Sequence, residues 1–256
     1  MEPTDIARVG ELFQEYTKYL HVAVPSLMVR GAPVPAAEKD DPPGAPFVGL
    51  PSPPEALPGT SRGLFDILRT RRSRRDYTAQ SLTLVELSSL LWSAQGVVEA
   101  GRGYTLRTSP SAGARHPLET YVMANRVEGL EPGLLRYSPP RHGLVRTAGG
   151  GAVAARMAAA CLGQAILRTS AVSFVWTAVV ERARWKYQQR AYRYLYLDAG
   201  HACQNLYLAC EALDLGCCAV AAFDDDAVNA VLGVDGREEF VVYIATAGRR
   251  RAGREA

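Results

Sequence analysis

The chain has 256 residues, a length that suits one hydrophobic core with an added segment. Its composition, 48% hydrophobic and 21% charged, is that of a globular protein and excludes a disordered or fibrous chain. No apolar run approaches the roughly 20 residues of a membrane span, and the acidic N-terminus lacks the basic start of a signal peptide. Five cysteines are too few for a disulfide scaffold, so the sequence predicts a cytoplasmic protein with buried thiols.

The net charge of +3 is distributed unevenly along the chain. Residues 62–75 contain six arginines against Asp66, a net +5, and residues 249–256 contain four arginines against Glu255, a net +3. Positive charge concentrated in two short segments indicates a local anion site more than a broad basic surface. We therefore expect neither a nucleic-acid nor a membrane partner.

The first 60 residues differ in composition from the remainder. Residues 4–20 predict a short amphipathic helix. Ten of the 16 prolines fall between Pro25 and Pro58, a density that forbids a regular helix or a central strand. The sequence thus predicts an extended strap that wraps over the body or a partner, with a flexible linker as the alternative. Residues 61–256 are predicted to form the folded domain.

Helices and strands are predicted throughout residues 61–256. A helix over 62–70 leads into the first arginine cluster, and the capping box of Thr83 and Glu86 predicts a helix that begins at residue 84. Strands are predicted over residues 118–125, 134–137, 144–146, 171–180, 217–222 and 240–247. The other short helices are predicted over 152–166 and 224–233.

The longest predicted helix covers residues 188–215, with Gly216 as the C′ residue that ends it. Its apolar positions, from Tyr192 to Leu213, are spaced alternately by three and four residues. Such a seam, on a helix about 42 Å long, predicts packing against a second subunit as well as the core. The alternative is a helix that packs only within its own subunit.

Several familiar chemistries lack their sequence motifs. The chain has no GxGxxG, no P-loop, no HExxH and no cysteine–histidine spacing typical of a metal site. Ser111 lies near His116, but no GxSxG surrounds it. We therefore predict no Rossmann nucleotide site, no metal centre and no serine hydrolase.

The run RRSRRDY at residues 71–77 is the remaining candidate site. A phosphate monoester carries close to two negative charges, which forked guanidinium groups and a hydroxyl bind well. Alternate residues of an extended segment point the same way, so Arg71, Ser73 and Arg75 could converge on one anion. On these residues alone, a solvated arginine-rich face stays an alternative.

Five blocks in order resemble the nitroreductase superfamily: RRSRRDY, PSAGARHPLETYV (110–122), KYQQRAYRYLYLDAGHACQNLYLACEALDLG (186–216), AAFDDDAVNAVLG (221–233) and GRR (248–250). They span about residues 60–250. Within the superfamily the chain most resembles the SagB-type dehydrogenases, whose best-understood members oxidise azoline rings in ribosomal peptides. The resemblance implies an α+β fold with a central mixed or antiparallel sheet flanked by helices. It also implies a homodimer joined along a long central helix, with one FMN in each of two interface sites.

The resemblance further implies which residues hold FMN. Those implied for the phosphate and ribityl chain are Arg71, Arg72, Ser73 and Arg75, completed by Arg249 or Arg250. The loop that one subunit lays against its partner's flavin would consist of Pro110, Ser111, Ala112 and Gly113. Ala221 and Ala222 would pass beside the isoalloxazine ring. Arg115-His116 stands where family members often have Leu-Tyr, so the edge of the cavity is expected to differ.

Lys186 and Tyr187 resemble a Lys-Tyr pair that azoline oxidases use for deprotonation. Because a desolvated lysine has a lowered pKa, our hypothesis is that Lys186 or Tyr187 removes a proton while hydride leaves for flavin N5. The alternative is that both lie on an exposed helix start.

The expected function is FMN-dependent hydride transfer to or from a small or peptidic substrate, as in SagB-type dehydrogenases. One alternative is a general reductase of nitroaromatics or quinones with NAD(P)H as hydride donor. Another is a basic binding module without redox activity. A cyclodehydratase partner is expected only if the substrate is an azoline-containing peptide.

Overall fold

The computed structural model describes residues 6–22, 25–52, 62–101, 104–149 and 152–251. Its α-helices are α1 (Val9–Tyr16), α2 (Leu64–Thr70), α3 (Leu84–Gln95), α4 (Ala152–Ala160), α5 (Ile166–Thr169), α6 (Val180–Tyr187), α7 (Ala191–Ala212) and α8 (Asp225–Leu232). Its strands are β1 (Phe47–Gly49), β2 (Val97–Gly101), β3 (Tyr104–Arg107), β4 (Leu118–Ala124), β5 (Gly133–Ser138), β6 (Gly143–Gly149), β7 (Val172–Val179), β8 (Leu215–Val220) and β9 (Glu239–Arg249).

Seven of these strands form one antiparallel sheet in the order β1-β6-β5-β4-β7-β9-β8. Every residue of β4 is buried, and successive side chains point to opposite faces. Val122 packs into the cluster that includes α3 and α7, whereas Tyr121 and Met123 pack into the cluster with α4 and α8. The predicted α+β fold, a central sheet flanked by helices, is confirmed.

Residues 25–52, which we call the strap, lie against the body of the protein. Its segment β1 pairs with β6 at the edge of the sheet, the position where proline-rich chain is tolerated. Prolines remove backbone donors but leave carbonyl groups free to accept. Accordingly, Trp185 Nε1 donates to the Ala32 carbonyl at 3.0 Å and Arg182 Nε donates to the Ala36 carbonyl at 2.9 Å. Residues 53–61 of the predicted strap lie outside the described residues.

Four predicted boundaries differ from the structure. The N-terminal helix is shorter than residues 4–20, and the predicted 152–166 helix ends at Ala160, where Leu162 (φ 57°) and Gly163 (φ 77°) reverse the chain. The long helix predicted over 188–215 is shorter at both ends: a 3₁₀ turn spans Gln188–Arg190, where Gln188 has φ 51° and ψ −134°, and α7 covers Ala191–Ala212. Gly216 is not a C′ residue but lies in β8.

The predicted intersubunit seam on α7 faces the subunit's own core. Leu195, Ala199 and Leu206 are buried in the cluster that also contains α3. The seam residues are thus used within the subunit, and the expectation that α7 also packs against a second subunit stays a prediction. The outer face of α7 instead carries Tyr196 and Leu197, which are 53% and 57% exposed.

Candidate active site

The arginine-rich segment is positioned by backbone pairing with the end of the sheet. After α2, Ser73 forms a parallel bridge with Cys217 of β8, and the Arg74 N–H donates to the Cys217 carbonyl at 2.8 Å. The Thr78 N–H then donates to the Arg249 carbonyl at 2.8 Å. These bonds bring the two basic segments of the sequence together, although about 175 residues of chain separate them.

The two segments enclose a cavity of about 390 Å³, which we call the arginine cavity. The residues that line it are Arg72, Ser73, Arg74, Arg75, Asp76, Arg250 and Arg251. Five arginines thus face one aspartate. Of the residues implied for the phosphate, the structure brings Arg72, Ser73, Arg75 and Arg250 into one cavity.

The arginines of this cavity differ in whether a carboxylate of the chain balances them. Arg250 is ion-paired with Glu211 at 3.4 Å and with Asp214, and Arg251 is ion-paired with Asp76 at 2.9 Å.

Within the described ranges, by contrast, no carboxylate lies within 4 Å of Arg72, Arg74 or Arg75. The Nε atom of Arg74 is also buried without a hydrogen-bond partner. The cavity therefore holds positive charge and a buried donor that an anion would satisfy.

Tyr207 of α7 organises the inner side of the arginine segment. Its hydroxyl oxygen accepts from the Ala219 N–H at 2.7 Å and lies 3.0 Å from Ser73 Oγ. The Arg71 guanidinium lies 5.1 Å from the centre of the Tyr207 ring. Burial raises the pKa of the Tyr207 hydroxyl to about 12, so it keeps its proton and can donate to Ser73. The Ser73 proton is then free to bind an anion.

The alternation expected for an extended segment is not what the structure shows. Arg71 does not line the arginine cavity, whereas Arg72 and Arg74 do. Arg249 likewise points elsewhere, because both of its terminal nitrogens pair with Glu86, at 2.8 and 2.9 Å. Of the two candidates for completing the phosphate site, the structure places Arg250 in the cavity.

Tyr77 fixes the arginine segment to the sheet, and the sequence reasoning did not single it out. Its ring lies on Gly216 and Gly248, which are paired in β8 and β9; a Cβ on either glycine would come within 3.0 Å of the ring. Its hydroxyl bonds Thr246 Oγ1 at 2.8 Å. Only the strand register reveals that Gly216 and Gly248 lie side by side and form one flat surface under the Tyr77 ring; we call this pair the glycine seat.

The loop that contains Ser111 is held by a buried carboxylate on α7. Asp198, which is 4% exposed, accepts from Ser111 Oγ at 2.6 Å and from the Ala112 N–H at 3.3 Å. Ser111 Oγ in turn accepts from the His116 N–H at 2.9 Å. Burial raises the pKa of Asp198, against the hydrogen bond from Ser111. The Ser111 hydroxyl therefore shapes the loop, since its donor and an acceptor position are both used within the chain.

Lys186 and Tyr187 lie against this loop, at the end of α6 and not at a helix start. Gly113 has φ 60°, and a Cβ there would lie 2.4 Å from the Tyr187 hydroxyl and 2.8 Å from Lys186 Nζ. Burial raises the pKa of the Tyr187 hydroxyl. The structure thus joins two groups of predicted site residues, the 110–113 loop and the Lys-Tyr pair.

A second cavity, of about 400 Å³, opens beside the Lys-Tyr pair. We call it the strap cavity; its lining residues are Tyr19, Val22, Pro25, Ser26, Val29, Lys186, Tyr187, Gln188 and Arg190. Ala221 and Ala222 follow β8 as exposed residues and line neither the arginine cavity nor the strap cavity as described. Gln164 Nε2 donates to the Ala222 carbonyl at 2.8 Å and so fixes this segment.

Comparison with known sequences identifies the family. The sequence profile of the nitroreductase family matches residues 68–249. The chain belongs to the nitroreductase family. A Methanocaldococcus jannaschii protein named as a nitroreductase is 37% identical over 187 residues, which cover 73% of this chain and 91% of that one. The trifolitoxin-processing protein TfxB of Rhizobium leguminosarum is 31% identical over 130 residues, covering 49% of this chain and only 35% of TfxB.

Solved structures agree with this assignment. A nitroreductase-type structure from Anabaena variabilis has a TM-score of 0.67 and 32% identity, covering 82% of this chain; the chain spans only 42% of that protein. The E. coli microcin synthetase complex McbBCD shares the fold at a TM-score of 0.60 and 21% identity, covering 77% of this chain and 79% of the matched one. A Desulfovibrio desulfuricans structure in complex with FMN shares it at 0.52 and 18%, covering 77% and 94%.

Nitroreductase-family proteins are flavin-dependent oxidoreductases, and this chain is an enzyme of that class. Across the described residues, no group of three or more histidine, cysteine or acidic side chains is arranged to hold a metal. In the same ranges, no helix has the length and apolar character to cross a membrane.

Proposed function

We propose that the chain is an FMN-dependent oxidoreductase of the SagB type, which transfers hydride between flavin N5 and a small or peptidic substrate. The observation that carries the proposal is the arginine cavity. Three of its arginines lack a carboxylate partner, and the Ser73 proton is free to donate. A phosphate monoester supplies the negative charge and acceptor oxygens that this arrangement lacks.

The residues present fit the phosphate end of FMN. Arg74 Nε is a buried donor without a partner, and a phosphate oxygen would accept from it. Arg250 is anchored from behind by Glu211, which is 3% exposed and also pairs with Arg62 at 3.0 Å. We propose that Arg72, Ser73, Arg75 and Arg250 bind the phosphate, with Arg74 joining them. Arg71 would support the site from the ring of Tyr207.

We also propose a homodimer, in which the 110–113 loop of one subunit lies against the flavin of the other. Exposed apolar side chains on α2 and α7 support it, because they have no cover within the subunit: Leu64 (58%), Phe65 (77%), Leu68 (46%), Tyr196 (53%) and Leu197 (57%). Such a face on a soluble protein marks a protein interface. Ala221 and Ala222 would then border the flavin ring.

When bound, FMN supplies a hydride acceptor or donor at N5 and negative charge near N1 after reduction. The chain's own groups would position the substrate and move its proton. Lys186 Nζ and the Tyr187 hydroxyl both lie over Gly113, so either can reach a substrate proton held against the loop. We propose that one of them accepts this proton while hydride leaves.

The relatives support two alternative substrate classes, a peptide or a nitroaromatic or quinone. The names of TfxB and of the microcin synthetase complex refer to the processing of a toxin and to synthesis of a microcin within a complex, which favours a peptidic substrate and a partner protein. We propose that this partner is a cyclodehydratase. The M. jannaschii relative, which is named as a nitroreductase, favours a general nitro or quinone reductase, for which we propose NAD(P)H as the hydride donor. NAD(P)H oxidation with a quinone or nitroaromatic acceptor, against flavin bleaching by an azoline peptide alone, distinguishes the two.

The test of the proposed cofactor is the flavin content of the purified protein. We expect a yellow homodimer that, once stripped, rebinds FMN about tenfold or more tightly than riboflavin, because riboflavin lacks the phosphate. Colourless protein that stays flavin-free after incubation with FMN would refute the proposal.

The role of Lys186 and Tyr187 is tested by Lys186→Ala and Tyr187→Phe. We expect unchanged flavin content and a fall in turnover of about 10²-fold or more, the usual contribution of a positioned acid or base. Turnover at the wild-type rate in both variants would dismiss the pair as catalytic.

A further inference from the structure

The strap cavity combines two cations with no acid. Lys186 and Arg190 line it, and none of its other lining residues is aspartate or glutamate. Within the described residues, neither cation lies within 4 Å of a carboxylate, whereas other arginines of the same region, such as Arg182 and Arg184, pair with glutamates at 2.6 and 3.6 Å. The cavity therefore carries uncompensated positive charge.

Arg190 is held in place by neutral groups. Its Nε donates to the Tyr194 hydroxyl at 2.8 Å and its Nη1 donates to the Thr17 carbonyl at 2.8 Å. Its guanidinium also lies 4.9 Å from the centre of the Tyr19 ring. These contacts orient the guanidinium and leave its charge unbalanced. Because they hold the side chain without neutralising it, they pre-organise a donor for an anionic ligand.

The backbone of this cavity wall is strained. Gln188 has φ 51° and ψ −134°, a conformation that costs a non-glycine residue about 1–3 kcal/mol. Gln188 lies in the turn between α6 and α7, with Lys186 and Arg190 on either side of it. Strained residues of this kind are concentrated at functional sites, which supports the view that the cavity binds a ligand.

The strap and the segment before it contribute a mainly apolar wall, together with Tyr19 and Ser26. Val22, Pro25 and Val29 line this side. A ligand that fits both walls has an apolar body and one negative group. The volume, about 400 Å³, is within the range of small-molecule sites.

We propose that the strap cavity is the substrate site and that Arg190 binds a carboxylate of the substrate, with the apolar body directed along the strap toward Lys186 and Tyr187. The inference rests on the proposed function in calling the ligand a substrate. A planar guanidinium suits a planar carboxylate, which it can bind through two parallel hydrogen bonds. Arg190 is thus a residue that determines specificity, while Lys186 and Tyr187 serve the reaction.

The experiment measures equilibrium binding to the flavin-loaded protein, independent of turnover. The probes are hippurate and its neutral analogue hippuramide, which differ only in the carboxylate. We expect hippurate to bind about tenfold or more tightly, the ratio that one charge-assisted pair provides. Added salt should weaken hippurate and leave hippuramide unchanged.

Three variants assign this difference to Arg190. Arg190→Leu should abolish the preference for hippurate and leave hippuramide binding unchanged, and Arg190→Lys should retain part of it. Arg184→Leu is the matched control, since Arg184 lies on α6 and pairs with Glu181 but does not line the cavity. If Arg190→Leu does not fold, Arg190→Gln removes the charge and keeps a donor for the Thr17 carbonyl.

Equal binding of the two probes to the wild-type protein, or no binding of either, would overturn the inference. So would an equal loss of preference in Arg184→Leu. A tripeptide with a free C-terminus and its C-terminal amide, measured alongside, decide whether the carboxylate belongs to a peptide or to a small molecule. Protein that prefers hippurate through Arg190 but holds no flavin would keep the cavity assignment and end the proposed function.

Discussion

Arginines beneath the strap and arginines in the arginine cavity differ in burial and in whether a carboxylate balances their charge. Beneath the strap, Arg136 and Arg182 are each 2% exposed, and both bond Glu119, at 3.3 and 2.6 Å. In the arginine cavity, Arg72 and Arg75 are exposed and have no carboxylate partner among the described residues. The first set is buried and balanced by Glu119 together with Asp41, which pairs with Arg136 at 2.7 Å, and the second is accessible and unbalanced.

This difference separates charges that hold the fold from charges that await a ligand. A guanidinium removed from water is costly unless groups of the same chain replace its hydration, and Glu119 does so for Arg136 and Arg182. A guanidinium at an open cavity keeps its water until an anion displaces it. The comparison therefore predicts that changes beneath the strap alter stability and changes in the arginine cavity alter ligand affinity.

Glu119→Gln is expected to have the largest effect on stability. The substitution keeps the shape of the side chain but leaves Arg182 buried without a carboxylate partner among the described residues and Arg136 with Asp41 alone. We expect the free energy of unfolding to fall by about 3–5 kcal/mol. Chemical denaturation followed by circular dichroism measures it.

The matched control is Glu128→Gln, at an exposed glutamate whose side chain has no ion pair in the described structure. We expect its unfolding curve to overlay that of the wild type. A Glu119→Gln protein as stable as Glu128→Gln would show that the strap contacts are not a balanced structural cluster.

Arg75→Ala should have the opposite profile. Since Arg75 is exposed and makes no hydrogen bond or ion pair with a described residue, its loss should leave the unfolding free energy unchanged within about 0.5 kcal/mol. The affinity for FMN should fall about 10- to 100-fold, as expected for one charge-assisted contact to phosphate. Fluorescence titration of the flavin-free protein with FMN measures the change.

Arg69→Ala removes the same charge six residues earlier in the chain, where Arg69 pairs with Asp66 at 2.7 Å on the surface of α2. We expect FMN affinity within about twofold of the wild type, because surface pairs contribute little. Equal losses in both variants would mean that a diffuse positive field, and not a contact by Arg75, attracts the ligand.

The sequence predicted the elements of the domain better than their connections. Periodic apolar positions located six of the nine strands that the structure describes, but not β1, β2 or β3, and the capping box of Thr83 and Glu86 placed the start of α3 at residue 84, as observed. The predicted start of the long helix, residue 188, lies three residues before the observed start of α7 at Ala191, but glutamine carries no signal for the positive φ of Gln188. Strain of this kind is set by tertiary packing, which local propensity does not report.

The candidate site was predicted in part for the same reason. The charge pattern located both basic segments, but it could not tell which guanidinium faces the cavity. That depends on Tyr207, which lies beside Arg71, and on Glu86, which pairs with Arg249. Asp198 was missed because a single aspartate in a helix pattern gives no sign that it lies under the Ser111 loop.

The smallest effect is expected at the glycine seat, where the scaffold rather than the charge of the arginine cavity is altered. In Gly248→Ala, the new Cβ would lie 3.0 Å from Tyr77 Cγ and 3.2 Å from the Ala171 backbone nitrogen. The backbone cannot yield as a flexible side chain does, so Tyr77 and the attached arginine segment must shift. We expect a loss of about 1–2 kcal/mol of stability and a several-fold loss of FMN affinity, smaller than that of Arg75→Ala.

Gly49→Ala is the matched control for this substitution, because Gly49 also lies in a strand and a Cβ there meets nothing within 4 Å. It should leave FMN affinity unchanged, which titration of both variants in parallel will show. If Gly248→Ala lost stability but bound FMN as tightly as Gly49→Ala, the seat would hold the fold alone. The position of the arginine segment would then depend on its backbone bonds to Cys217 and Arg249, and not on Tyr77.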